Sequence, residues 1–164
     1  MYITYEEYTE LYDSDIERRL FNVLSFDACR VMDIHTTGID NVKKLKKFYP
    51  EDPSDAESVK HCAAKLISIL HQINEAEIAA AMGRGYTETE QGLQRRIISR
   101  VESGNEAISY SETKNTNSSI DSAVASKAEK DKLLANTVRD YLRGVTDANG
   151  VNLLYMGAYP RRYV

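Results

Sequence analysis

Tryptophan is absent and phenylalanine scarce, with three residues set against eleven tyrosines. Four of the tyrosines (Tyr2, Tyr5, Tyr8, Tyr12) stand in the first twelve residues and three (Tyr155, Tyr159, Tyr163) in the last ten, stretches that chains normally order least. Cysteine is limited to Cys29 and Cys62, 33 residues apart. That spacing gives neither a disulfide framework nor a zinc-ligand set, so both thiols read as small buried apolar groups in a reducing compartment. The three histidines (His35, His61, His71) lack metal-binding spacing, and no His-Glu-x-x-His occurs. Positive charge is not in excess either. With 21 Lys and Arg against 25 Asp and Glu the net charge is −4 and the pI near 5.4, which excludes the basic footprint of a tight nucleic-acid binder. No apolar run approaches the ~20 residues of a membrane span. The acidic opening Met-Tyr-Ile-Thr-Tyr-Glu-Glu is unlike the basic start of a secretory signal. These absences point to a protein made in the cytoplasm, with no cofactor, no metal and no membrane.

What is present suffices for one core: 42% apolar and 28% charged residues in a chain of 164. Thr4-Tyr5-Glu6-Glu7 is a capping box that opens a short helix to about Tyr12. Ser14-Asp15-Ile16-Glu17 repeats the pattern before a stripe of Ile16, Leu20, Val23, Leu24, Ala28, Val31 and Ile34, with Gly38 suited to a left-handed cap. Lys43, Lys44, Lys46 and Lys47 read as a solvated face, and Pro50 and Pro53 break the chain after them. Ser54-Asp55-Ala56-Glu57 opens a third helix, whose stripe is Val59, Cys62, Ala63, Leu66, Ile69, Leu70 and Ile73. Residues 1–82 are thus a helical core. Residues 83–96 read as a linker and 97–111 as a β-hairpin arm around Ser103-Gly104-Asn105. Residues 112–119 are a loop, and 120–144 a helix edged by Leu134, Val138, Tyr141 and Val145 with Gly144 as its cap. Residues 145–164 form an extended tail. The expected fold class is mainly α: a small helical bundle with a projecting β-hairpin and an extended C-terminal tail.

Catalytic patterns fail on inspection. Gly83-Arg84-Gly85 lacks the third glycine of a dinucleotide fingerprint and follows a helix, and Ser111-Glu112-Thr113-Lys114 lacks the companion motifs of Ser-x-x-Lys hydrolases. No enzyme is expected. What stands out is apolar material outside the helical core: Ile97, Ile98, Val101, Ile108 and Tyr110 in the arm, and Leu153, Leu154, Tyr155, Met156, Gly157 and Tyr159 in the tail. Tyr and Met favour protein–protein interfaces. Either these segments fold back on their own helices, or they dock on adjacent subunits. In the second case, deleting residues 151–164 would leave the helices intact and abolish assembly.

The order of elements resembles that of the head–tail connector (adaptor) proteins of long-tailed bacteriophages and prophages. The residues that carry the resemblance are Tyr2-Ile3-Thr4-Tyr5-Glu6-Glu7-Tyr8, Phe21 through Ala28-Cys29-Arg30-Val31-Met32-Asp33 to Thr36-Thr37, the helix Val59 to Ile73, Ser103-Gly104 with Ile108-Ser109-Tyr110-Ser111, and Leu153-Leu154-Tyr155-Met156-Gly157. They span essentially the whole chain in order. The chain departs from the family pattern at Met156 and Gly38, where relatives often carry Arg. The resemblance implies a structural virion protein of the neck, a portal-binding protomer that assembles with itself into a ring of about twelve copies, a closed heterologous assembly. Such a ring extends the DNA channel beneath the portal protein and docks stopper or tail-completion proteins, with DNA passing through unbound. Other readings are a small helical DNA-binding regulator or another head- or tail-completion protein. A regulator would need a basic recognition helix, and the lysine run lies in a connector between Gly38 and Pro50. A helical-bundle enzyme would need paired Glu and Glu-x-x-His on facing helices, and the sequence has no such set.

Overall fold

The computed structural model describes residues 1–12, 16–81, 86–89, 92–102, 107–112 and 119–160, with side-chain environments for 1–12, 16–79 and 119–160. The chain is mainly helical, with six helices among the described residues. It divides into two units, one of residues 1–70 and 134–164, the other of 71–133.

Helix α4 (Pro53–Ala81) contributes its residues 53–70 to the core of the first unit and its remainder to the second. Asp52 stands at its N-cap: its Oδ1 accepts from the Ser54 and Asp55 amides at 2.9 and 3.2 Å, and Pro53 takes the first helical position, where no amide is needed. The cap therefore lies two residues before the Ser54 expected from the sequence. All seven residues of the expected stripe are buried, and Ala64 and Ile67 are buried with them, so this helix is covered on more than one side.

Helix α1 (Tyr5–Tyr12) begins with the reciprocal capping box: the Glu7 amide donates to Thr4 Oγ1 at 3.2 Å and the Thr4 amide to Glu7 Oε2 at 2.8 Å. Its tyrosines pack inward. Tyr8 is 2% exposed, stacks on Tyr12 at 5.5 Å and meets Phe21 at 5.4 Å, while Tyr5 contacts Phe21 edge-on.

Helix α2 (Arg18–Thr36) follows the expected stripe only in part: Ile16 just before it and Leu24 and Ala28 within it are buried, and the buried face is turned toward Phe21 and Met32. Phe21, Leu24, Ser25, Ala28, Met32 and Thr36 are buried, whereas Val23 and Ile34 of that stripe are 60% and 58% exposed. Its N-cap is Glu17, which makes no side-chain cap hydrogen bond; Ser14 lies outside the described residues. At the other end Thr37, in extended conformation, is the cap residue, and the left-handed conformation falls at Asn41 (φ 60°). Gly38 is required for a different reason. A Cβ there would lie 2.4 Å from the Gly157 carbonyl oxygen, so only glycine lets the tail approach this closely.

The short α3 (Lys44–Lys47) leads through Phe48 and Tyr49 to Pro50. In the second unit, β1 (Tyr86–Thr89), β2 (Gly92–Glu102) and β3 (Ala107–Glu112) are antiparallel in the order β1-β2-β3, so strand backbone occupies much of the stretch that reads as a linker. The expected turn at 103–106 and most of the loop at 112–119 lie outside the described residues, as does the end of the tail at 161–164. Where one C-terminal helix is expected, α5 (Ser119–Ala125) and α6 (Lys127–Tyr141) meet at Ser126. The hydrogen-bond ladder runs on through this point, from Ser126 N to Ser122 O and from Lys130 N to Ser126 O. Of the expected edge, Leu134, Val138 and Val145 are buried but Tyr141 is 37% exposed; Leu142 is buried in its place. Gly144 caps the end with φ 86°.

Candidate assembly surface

The tail does not stand away from the first unit. Leu153 is fully buried and Tyr159 is 4% exposed, so these two candidate contact residues belong to the protomer's own core. The reason is a set of polar clasps that sequence spacing does not announce. After Gly144 the chain doubles back: Thr146 bridges Asn152, the Leu153 amide donates to Val145 O, and Gly150 supplies the positive φ of the turn. Asp147 holds the turn together, its Oδ1 accepting from the Asn149 and Val151 amides and its Oδ2 from the Tyr159 hydroxyl at 2.5 Å. Asp55 of α4 accepts from both the amide and the hydroxyl of Thr146, each at 2.9 Å.

The other half of the clasp is the segment that joins α2 to α3. The Tyr159 amide donates to Asp40 Oδ2 at 2.6 Å, and its ring stacks on Phe48 at 4.8 Å. The Ile39 amide donates to Met156 O at 3.0 Å. Lys44 is the surprise of the lysine run. It is 1% exposed, with its ammonium donating to the carbonyls of Asn152 and Tyr155 and lying over the Tyr155 ring. Burial lowers its pKa, an effect that the charges of Asp147 and Asp40 oppose. Asp40 itself is held below the usual carboxylate range, first by the Tyr159 amide. Lys43, Lys46 and Lys47 are exposed, as the sequence predicts.

Four tail candidates keep exposed surface. Tyr155 and Met156 are each 50% exposed, and Leu154 and Gly157 are partly so. The side chains of Ile97, Ile98, Val101, Ile108 and Tyr110 lie outside the described residues.

A larger surface, which the sequence reading missed, lies on the outer side of α2. An open cavity of about 990 Å³ is lined by Phe26, Ile34, Cys29 and Asp33 of this helix, together with Met1, Tyr2, Asn41, Lys43 and Lys46. Phe26 is 69% exposed and Met1 72%. Its wall is ordered by charge. The Tyr2 hydroxyl donates to Asp33, and Lys46 pairs with the same carboxylate at 3.3 Å. Burial and Asp33 together keep the Tyr2 hydroxyl protonated well above its ordinary range. Cys29 is half-buried here with its thiol pKa raised by burial, whereas Cys62 is fully buried and pushed up to about 12. A signal for this surface existed in the sequence: Asn22, Phe26, Cys29, Arg30, Asp33 and Thr37 recur at three and four residues and define a second face of the same helix.

Among the described residues no group of three His, Cys, Asp or Glu side chains could hold a metal ion, and no helix is long and apolar enough to cross a membrane. Comparison with known proteins finds no matching family model, no matching curated protein and no matching solved structure.

Proposed function

We propose that the chain is a structural protomer of a head–tail connector. In this reading copies of it form a ring beneath a phage portal, extend the DNA channel and offer a docking surface to stopper or tail-completion proteins. It acts in the neck of the virion after synthesis in the bacterial cytoplasm, and it is not an enzyme. The observation that carries the proposal is the apolar outer side of α2. Val23, Phe26 and Ile34 of this helix, and Ile39 just after it, are each more than half exposed, while Phe21, Leu24, Ala28 and Met32 of the same helix are buried. Such a patch marks a site of association. The order of short motifs along the chain supplies the particular assembly.

In the same reading the hairpin at 97–111 projects as an arm toward a neighbour or the portal. The tail contributes through Leu154, Tyr155, Met156 and Gly157, since Leu153 and Tyr159 are engaged within the protomer. The net charge of −4 suits a channel that DNA slides through, because few cationic contacts mean weak phosphate binding. Electron microscopy of the protein mixed with portal particles tests the reading. Ring density added to one end of the portal is the expected image, and bare portals at every protein concentration would reject it.

A further inference from the structure

The cavity on α2 has a charge of its own. Arg30, Lys43 and Lys46 line it against a single acid, Asp33, so its side chains sum to +2; those of the rest of a chain of net −4 then sum to −6. Its apolar part is large and open, with Phe26 and Met1 each about two-thirds exposed or more and Ile34 58% exposed. An apolar floor with a cationic rim fits a protein surface that brings apolar side chains and carboxylates together. A nucleic-acid backbone would use the rim and leave Phe26 and Ile34 in water.

Resting on the connector reading, we infer that this cavity receives a second copy of the chain, and that the contact is heterologous. The argument is one of charge. Two such cavities placed face to face would bring Arg30, Lys43 and Lys46 of one copy against the same three residues of the other, and like charges at close range repel. The rest of the chain is net acidic, so a head-to-tail contact gives the cationic rim carboxylates to face where a face-to-face one gives it like charges. Contacts of that kind close into rings or run on as filaments, and do not stop at pairs. Tyr2 and Lys46 hold the Asp33 wall in place before the copy arrives.

The protein carries its own reporter, because Cys29 lines the cavity while Cys62 is inaccessible in the core. The test combines sedimentation velocity of the full chain from micromolar to millimolar concentration, alone and with portal particles, with the rate at which N-ethylmaleimide modifies Cys29. Association should slow that modification and should weaken as salt is raised. Phe26→Asp, and separately Arg30→Glu with Lys43→Glu, should leave circular dichroism unchanged and weaken association at least about tenfold. Phe26→Asp keeps the opposite surface, so in excess it should cap wild-type chains and reduce larger species to short ones. Variants that assemble like the wild type would sink the cavity contact and leave the ring reading standing. Failure of Phe26→Asp to cap would overturn the head-to-tail geometry. Protection of Cys29 by duplex DNA or by an unrelated acidic protein, with no self-association, would assign the cavity to another occupant. A wild type that stays monomeric in solution and on portal particles overturns both the inference and the reading.

Discussion

Lys44 shows how much one residue's environment depends on distant chain. Its neighbours Lys43, Lys46 and Lys47 are solvated, and nothing local separates it from them. It is buried because the carbonyls of Asn152 and Tyr155, 108 and 111 residues later, come to its ammonium. Lys44→Met leaves two carbonyls without their donor and should cost about 1–3 kcal/mol in urea unfolding, whereas Lys43→Met should fall within about 0.5 kcal/mol of the wild type. Asp40 belongs to the same clasp and gives a pH signature. Its folded-state pKa is lowered, first by the Tyr159 amide, so its contribution is present above the ordinary value of 3.8 and is lost as pH falls through the lowered value. Melts of the wild type and Asp40→Asn should therefore differ at neutral pH and converge in acid.

Among the elements, α4 was legible in the sequence and α2 only in part. Every position of the α4 stripe is buried, and because Ala64 and Ile67 outside it are buried too, neighbours leave no apolar side of this stretch in water to mislead the reading. Leu66→Ala should destabilise the protomer by about 2–5 kcal/mol, read by thermal or denaturant unfolding. The α1 capping box could be read as well, since it needs only Thr4 and Glu7 at the right spacing. Helix α2 carries apolar residues on two faces, and periodicity cannot say which one a neighbour covers. The neighbours chose the face with Phe21, Leu24, Ala28 and Met32 and left Phe26 and Ile34 outside. Phe26→Ala should thus leave unfolding nearly unchanged, in contrast to Leu66→Ala. Which of the two readings holds for the tail is not legible for a related reason. Its clasps to Asp40, Lys44 and Asp55 are polar and long-range, so neither composition nor spacing revealed that Leu153 and Tyr159 complete the core.

For the molecule as a whole, that clasp changes what truncation should do. Deleting residues 151–164 removes a fully buried Leu153 and a nearly buried Tyr159 from the first unit, each worth roughly 1.5–3 kcal/mol of burial. The truncated chain should unfold at lower denaturant and lose helical signal with it, so loss of assembly in that variant would not by itself assign the tail to an interface. Substitutions at the exposed Met156 or Phe26 address contact without touching the core. The net charge gives a further expectation at this scale: no measurable binding of duplex DNA by the isolated protein at physiological salt.

The most direct measurement of the central claim is the mass of the species that the chain forms with portal particles present. A closed ring on the order of a dozen copies, bound to the portal, is the predicted result. A strict monomer that never joins the portal would contradict it.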